Sequence, residues 1–231
     1  MENYKNRKIG EIVTHDFRAA EVFKNAGIDF CCGGNQSLEE ACSDKKLNIS
    51  TIEMQLVGLE ATTPDSTHNF KEWNLDFLID YIVNTHHKTV LKLLPQLTSY
   101  TQKIADVHGA NHSELIEIAT LFSEINVELL QHLKAEEEIL FPAIKDVLSA
   151  NDSNAKEIIV SEIRRMGKEH EFAGGAMDKI NVLSKNYSVP DDGCNTYQVT
   201  FKLLEQFEDD LHVHVHLENN ILYPKALNLS V

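Results

Sequence analysis

Four long stretches of the chain have the hydrophobic spacing of an α-helix, at about 73–106, 113–148, 154–185 and 195–226. In the second stretch Leu115, Ile118 and Phe122 follow one another at intervals of three and four residues, which places them on one face of a helix. The breaks between the stretches are short and contain turn residues, beginning with Gly109. The pattern therefore predicts an all-α protein whose four long helices form an up-down-up-down four-helix bundle.

Shorter helical patterns separated by turns occupy the N-terminal part of the chain. Thr14 or Asp16 can cap a helix that runs to about residue 25, and Gly27 can end it in a left-handed conformation. Ser37 can cap a further helix, because Glu40 stands at the position that completes a capping box. These signals predict a small helical domain ahead of the bundle.

The boundaries between these parts follow from composition. Residues 1–56 contain the short helical patterns, and 57–70 include a Thr-Thr-Pro-Asp-Ser run that is typical of a linker. The four long patterns lie within 71–231. We therefore predict a helical N-terminal domain, a linker and a four-helix bundle with these limits.

One twelve-residue phrase occurs twice in the bundle. The first copy begins His132-Leu-Lys-Ala-Glu136 and the second His214-Val-His-Leu-Glu218, and each continues to Ile-Leu, an aromatic residue and proline at the same offsets. Residues four apart lie one above the other on a helix, so each copy directs an imidazole and a carboxylate to the same point. Two such helices facing each other would supply two nitrogens and two carboxylates, a set that suits a pair of iron ions.

Other histidines can join this set. Folding the first two long helices about Gly109 places His87 beside His132, because both lie a little over twenty residues from the turn. The third helix contains one histidine, His170. His108 lies so close to the turn that about 30 Å of helix separates it from His87, and it is not expected to share a metal with it. The predicted metal ligands are His87, His132, Glu136, His170, His214 and Glu218.

Other interpretations of these residues are possible. The two His-x-x-x-Glu pairs could be exposed ion pairs, each worth only about 0.3–0.5 kcal/mol, but this would not explain why the surrounding apolar residues are duplicated too. His86 is an alternative to its neighbour His87 as the metal ligand, and the sequence leaves this choice open. Four further histidines are expected at the surface or behind the ligands: His68, His112, His212 and His216.

Composition limits the possible partners and the cellular location of the protein. The formal net charge of −15 argues against nucleic-acid binding, which needs a basic surface. No apolar run approaches the roughly 20 residues of a membrane span, and the N-terminus is polar, without the apolar segment of a signal peptide. We therefore expect a cytoplasmic protein whose cysteines are thiols or metal ligands rather than structural disulfides. Cys42 and Cys194 are interpreted as structural or incidental.

Cys31 and Cys32 are adjacent in a turn followed by Gly33 and Gly34. A helix N-terminus just beyond them is expected to lower the pKa of these thiols. The pair could capture a metal or an iron–sulfur fragment, form a vicinal disulfide or react with nitric oxide. Alternatively, the two residues could simply pack the turn.

The residues 26–34, Ala-Gly-Ile-Asp-Phe-Cys-Cys-Gly-Gly, followed by a bundle with both His-x-x-x-Glu phrases, resemble the RIC family of iron–sulfur cluster repair di-iron proteins. The resemblance covers nearly the whole chain and implies an ScdA-type N-terminal domain and a hemerythrin-like bundle. It further implies a homodimer that is made under nitrosative or oxidative stress. The expected cofactor is two iron ions joined by an oxo or hydroxo bridge. The family's iron-binding positions fall on the six ligands given above, and its cysteine pair falls on Cys31 and Cys32.

Three hypotheses about function follow. The protein could donate iron to damaged iron–sulfur clusters during transient contact with their proteins, with Cys31 and Cys32 assisting the transfer. It could instead be an enzyme that reduces nitric oxide to nitrous oxide, or a module that binds or senses oxygen or nitric oxide. Repair is favoured, because the family resemblance implies it and because Met166 stands where hemerythrin has a fifth histidine, which should make the iron more labile.

Overall fold

The structure, a computed structural model, describes residues 4–61, 69–150 and 153–229. Over these ranges it contains helices and no β-strand, apart from an isolated bridge between Lys8 and Ser37. The predicted all-α class, a helical bundle with a small N-terminal helical region, is confirmed. The described chain divides into two compact units, one formed by residues up to Ile79 together with those from Val213 onward, the other by Asp80–His212.

The smaller unit is built from short helices around an apolar core. Phe23, Leu38 and Leu56 are buried in it. Burying one such side chain contributes about 1.5–3 kcal/mol. Its helices are α1 (Ile9–His15), α2 (Ala19–Asn25), α3 (Leu38–Asp44), α4 (Ile49–Glu60), the start of α5 (Leu75–Ile82), the end of α10 (Asn195–Leu217) and α11 (Tyr223–Leu227), with 3₁₀ turns at Gly33–Asn35 and Phe70–Glu72.

Two of the predicted signals in this unit are confirmed. Gly27 has a φ of 66°, the left-handed conformation that lets the chain leave α2. Ser37 Oγ accepts from the Glu40 N–H at 3.3 Å, and the Glu40 carboxylate accepts from the Ser37 N–H at 2.9 Å, which completes the capping box of α3.

The helix predicted to run to about residue 25 is present as α2, which ends at Asn25, but the prediction that Thr14 or Asp16 caps it was wrong. Thr14 lies inside α1, which was not predicted, and Asp16 lies in the break that separates α1 from α2. The Asp16 carboxylate accepts from the Arg18 backbone N–H at 3.1 Å and from its guanidinium at 2.6 Å. This local hydrogen bonding competes with helix formation, which explains the break.

Helix α4 continues through Glu60, and residues 62–68 of the predicted 57–70 linker lie outside the described residues. The domain limits 1–56, 57–70 and 71–231 therefore stay predictions. No helix in the described ranges is long and apolar enough to cross a membrane.

The larger unit contains the bundle. Its helices are the end of α5, α6 (Lys88–His108), α7 (Glu114–Ala135), α8 (Phe141–Ala150), α9 (Ser153–Leu183) and most of α10. Helix α7 packs against α6 and α9. Its predicted apolar face is buried, and Phe122 meets Phe207 of α10 edge to face with ring centroids 5.3 Å apart. The four long sequence patterns thus correspond to the long helical stretches of the protein.

In the described ranges, π-helical segments interrupt the long helices at Val83–His87, Glu136–Leu140 and Glu218–Leu222. In both copies of the duplicated phrase the segment begins at the glutamate. The N–H of Phe141 donates to the carbonyl of Glu136, and that of Tyr223 to the carbonyl of Glu218, each five residues back. The next residue in each copy is proline, which has no N–H to restore the α-helical register. Such wide turns occur frequently at functional sites.

Replacing Ser37 by alanine should remove the capping box and lower the free energy of unfolding by about 1 kcal/mol. Urea unfolding followed by the fluorescence of Trp73, the single tryptophan, reports on the unit that contains α3. Ser43→Ala, at an exposed position of the same helix, is the control and should leave the midpoint unchanged or raise it. Equal stability of Ser37→Ala and the wild type would contradict the role of the cap.

Candidate metal centre

The larger unit places four of the predicted ligands together in its core. His87, His132, Glu136 and His170 are each at most 1% exposed. Oε2 of Glu136 lies 3.4 Å from Nε2 of His87 and 3.3 Å from Nε2 of His132. Nε2 of His170 lies 3.0 Å from Nε2 of His132. Glu136 is therefore the point on which the imidazoles converge.

Two further carboxylates orient the imidazoles from behind. Glu137 Oε1 lies 2.8 Å from Nδ1 of His87, and Glu169 Oε2 lies 2.8 Å from Nδ1 of His132. An ionised carboxylate only accepts, so each Nδ1 donates and, in a neutral ring, each Nε2 presents a lone pair. Sequence reasoning missed both residues, although each adjoins a predicted ligand. Such outer carboxylates are typical partners of metal-binding histidines.

The hydrogen bonding creates a need for positive charge. Two nitrogens with lone pairs point at one carboxylate in a region without water-exposed surface, and acceptors facing acceptors repel. Burying a charged or polar group without compensation costs several kcal/mol. A cation between these atoms removes the repulsion. His132, Glu136 and His170 each offer one ligand atom within 4.8 Å of the other two, a separation that one metal ion can span.

The smaller unit contains the second copy of the motif. His214 Nε2 lies 3.0 Å from Glu218 Oε1, and the two side chains are 1% and 0% exposed. The same i,i+4 geometry therefore occurs in both copies, each at the start of a π-helical segment. The alternative of exposed surface pairs is wrong for both, because all four side chains are buried.

The structure distinguishes the two neighbouring histidines of the first long helix. His87 faces Glu136, whereas Nδ1 of His86 lies 3.0 Å from Oδ1 of Asp210 and its ring packs edge-on against Tyr81 at 5.7 Å. His87, rather than His86, is positioned with the cluster.

The other histidines lie elsewhere. Nε2 of His108 contacts the Cys194 sulfur at 3.2 Å, and His112 contacts Asp192 at 3.0 Å. His212 is partly exposed, while His68 lies outside the described residues. Of the two positions predicted for His216, at the surface or behind the ligands, its 0% exposure excludes the surface.

Asp29 organises the turn that contains the two adjacent cysteines. Its carboxylate accepts from the backbone N–H groups of Cys31, Cys32 and Gly33 at 2.9, 3.0 and 2.8 Å. The two sulfur atoms lie 3.9 Å apart as free thiols. This geometry allows both sulfurs and the Asp29 carboxylate to contact one metal ion.

The expectation of a lowered pKa is wrong for Cys31. Its hydrogen bond with Cys32, its burial and the nearby charge of Asp29 raise the pKa well above the usual value. The helical segment that follows is only the 3₁₀ turn Gly33–Asn35, and the next α-helix begins at Leu38. A regular helix dipole is therefore absent at the point where the thiolate would need it.

The thiol with a lowered pKa is instead Cys194, at the start of α10. Its side chain is exposed, and the hydrogen bond from His108 together with backbone N–H groups of Tyr197 and Thr196 lowers the pKa to about 7. This lowered pKa could not be predicted from the sequence, because His108 lies far from Cys194 along the chain.

Comparison with known proteins fits this geometry. Residues 5–60 match ScdA_N, described as a Domain of Unknown function (DUF542), and residues 78–226 match the Hemerythrin HHE cation binding domain. The iron-sulfur cluster repair protein ScdA of Staphylococcus epidermidis is 33% identical over 219 residues, covering 94% of this chain and 96% of the relative. This chain belongs to the ScdA and YtfE family. The iron-sulfur cluster repair protein YtfE of Yersinia pestis is 34% identical over 225 residues, covering 97% and 98%.

The predicted family is thereby confirmed. Membership of the ScdA and YtfE family, with its cation-binding domain, and the buried histidine and glutamate clusters together indicate metal binding. The donor set suits iron better than magnesium or calcium, because nitrogens outnumber oxygens.

Glu169→Gln should weaken metal binding by about 10–100-fold, because the amide no longer holds the His132 ring and its tautomer as the carboxylate does. Competition with a chelator measures the affinity. Glu171→Gln, an exposed position on the same helix, should bind metal like the wild type. Unchanged affinity in Glu169→Gln would show that the outer carboxylate does not support the site.

Cys194 should be alkylated by iodoacetamide with a rate that rises with pH and is half-maximal near its pKa of about 7. Above that pH the thiolate predominates, and below it the reaction slows. His108→Leu removes the donor and should move the midpoint upward, towards about 8.5. His112→Leu, whose ring contacts Asp192 rather than the thiol, should leave it unchanged. Mass spectrometry of the modified peptide follows this cysteine alone, and an unshifted midpoint in His108→Leu would contradict the account.

Proposed function

We propose that the two buried clusters form a single centre for two iron ions. Glu136 and Glu218 would bridge the pair, and four imidazoles would complete it, two for each iron. An oxo or hydroxo bridge would leave each iron about five-coordinate, with a position open for a small molecule or for iron exchange. The four imidazoles are those of His87, His132, His170 and His214.

Several observations support one centre. The two copies of the phrase have the same i,i+4 geometry and the same wide turn, and each supplies one buried carboxylate. Two divalent iron ions need negative charge nearby. The two carboxylates together supply it, with four neutral imidazoles as further ligands, whereas each cluster alone has one of these carboxylates.

We propose that the protein repairs iron–sulfur clusters damaged by nitrosative or oxidative stress, by donating iron. The observation that carries this proposal is the similarity to two iron-sulfur cluster repair proteins over 94% and 97% of the chain. The matched ranges include both the cysteine turn, within residues 5–60, and the cation-binding domain, at residues 78–226.

Individual side chains have separate roles in the proposed function. Glu137 and Glu169 orient His87 and His132, which keeps their Nε2 atoms on the metal side. Met166 is buried, and a thioether is a poor ligand for oxidised iron, so the coordination sphere holds one nitrogen fewer than that of hemerythrin. Weaker retention of iron favours donation over reversible oxygen carriage. Cys31 and Cys32 are the candidate thiols that receive iron in transit.

The wider setting is also part of the proposal. We expect a cytoplasmic homodimer that contacts damaged iron–sulfur proteins transiently, as the family resemblance implies. The formal charge of −15 gives the protein long-range repulsion from nucleic acid and from other acidic surfaces.

Glu136→Leu and Glu218→Leu should each abolish the paired site, because each removes a bridging carboxylate. Iron per chain after anaerobic reconstitution should fall from about two to one or fewer. Glu138→Leu is the control, since Glu138 lies two residues from Glu136 with an exposed side chain. Full iron content in either bridging variant would exclude that carboxylate from the centre.

A test of the function follows iron-loaded protein added to an iron–sulfur enzyme inactivated by nitric oxide. We expect recovery of enzyme activity together with loss of iron from the repair protein. Cys31→Ser/Cys32→Ser should slow the recovery while keeping the iron content. No recovery, with catalytic conversion of nitric oxide to nitrous oxide, would assign the protein to the reductases instead; reversible gas binding alone would make it a binding module.

A further inference from the structure

The two copies of the duplicated phrase differ on the face of the helix opposite the ligands. Positions two residues after the histidine and the glutamate are Lys134 and Glu138 in the first copy, with side chains 70% and 64% exposed. In the second copy the same positions hold His216 and Asn220. A separation of two residues is about 200° around a helix, so these side chains point away from the metal ligands. The change from an exposed ion pair to a buried imidazole and an amide calls for a separate explanation.

Asn220 contacts the cysteine turn, which belongs to the same compact unit. Its Nδ2 donates to the carbonyl of Phe30 at 3.2 Å and to the carbonyl of Cys31 at 3.2 Å. The same Nδ2 lies 3.1 Å from Nδ1 of His216. Carbonyl oxygens only accept, so the orientation of the amide is fixed by its neighbours. One side chain therefore joins the backbone of the cysteine turn to the helix that carries His214 and Glu218.

The surroundings of Asn220 are shaped to admit its side chain. A methyl group placed on Gly10 or on Gly34 would overlap the Oδ1 of Asn220. Gly10 lies within α1, where alanine would normally be more favourable by about 1 kcal/mol. Neither glycine has a positive φ, so close approach, rather than backbone conformation, explains both.

His216 completes the contact from the same helix face. Its ring lies between Phe17 and Phe30, with centroid distances of 6.2 and 5.7 Å. Phe30 directly precedes the cysteine pair, so the aromatic packing and the amide hydrogen bonds hold the same stretch of backbone. The cysteine turn is thus fixed at both its side chains and its main chain.

We propose that Asn220 is a positioning residue that clamps the Cys31–Cys32 turn onto the ligand-bearing helix, so that the cysteine pair serves the metal centre of its own chain. The purpose of the clamp rests on the proposed function. The contacts that form the clamp do not depend on bound metal. In the absence of the clamp the turn would open independently of the helix, and transfer between centre and thiols would lose its fixed geometry.

Asn220→Asp tests the clamp with almost no change of shape. The carboxylate cannot donate, and it would face two carbonyl oxygens, so the turn should be released. Alkylation of Cys31, which is 4% exposed, should accelerate about tenfold or more in the metal-free protein, as expected when two or three hydrogen bonds that oppose local opening are lost. Glu138→Ala, the equivalent position in the first copy, should leave the rate unchanged.

Gly10→Ala gives an independent variant, remote in sequence from both the cysteines and the metal ligands. Its added methyl group should displace the Asn220 side chain and accelerate alkylation of Cys31, although alanine favours helix α1. Wild-type alkylation rates in both Asn220→Asp and Gly10→Ala would overturn the proposal. Circular dichroism identifies any variant that has lost its fold, and the other variant then decides.

The role of the clamp in cluster repair can be tested separately from the clamp itself. In Asn220→Asp, iron per chain should equal that of the wild type while cluster repair slows, whereas a merely structural residue would lower both together. Repair at the wild-type rate despite a released turn would overturn the positioning role. Failure of the wild type itself to repair clusters would refute the proposed function, and the alkylation rates would still decide whether the clamp exists.

Discussion

The structure depends on a charge that the protein core has to compensate. Three imidazoles and a carboxylate converge in the larger unit, and a fourth imidazole and a second carboxylate meet in the smaller one, all with almost no exposed surface. In water such groups would be solvated; inside a bundle of apolar helices their burial needs compensation, which a cation between them supplies. Glu137 and Glu169 reinforce the demand, because they hold protons at the outer nitrogens and leave lone pairs inside.

The backbone adapts to the same constraint. A wide turn begins at Glu136 and another at Glu218, and a proline follows each at the position where a regular helix would need an N–H donor. The duplicated Ile-Leu-aromatic-Pro sequence is therefore connected with the ligands through the helix geometry. In the second copy His216 and Asn220 occupy the positions of the first copy's exposed ion pair and contact the cysteine turn.

Much of the fold could be predicted because it depends on the spacing of residues close together in the sequence. The long helices, the Gly27 terminus and the Ser37 cap depend on residues a few positions apart. The remainder depends on contacts between distant segments. The outer carboxylate Glu169, the lowered pKa of Cys194 beside His108 and the burial of His216 need the tertiary structure. Helix α1 was missed because Asp16 was interpreted as a cap for one helix, whereas it separates two.

X-ray absorption at the iron edge of the anaerobically reconstituted protein would show whether the proposed di-iron centre exists. We expect about two irons per chain, each with a shell of nitrogen and oxygen ligands rich in imidazole, and a resolved iron–iron scattering distance. A single iron per chain, the absence of an iron–iron vector, or a sulfur-dominated shell would contradict a centre built from the two buried His-x-x-x-Glu pairs.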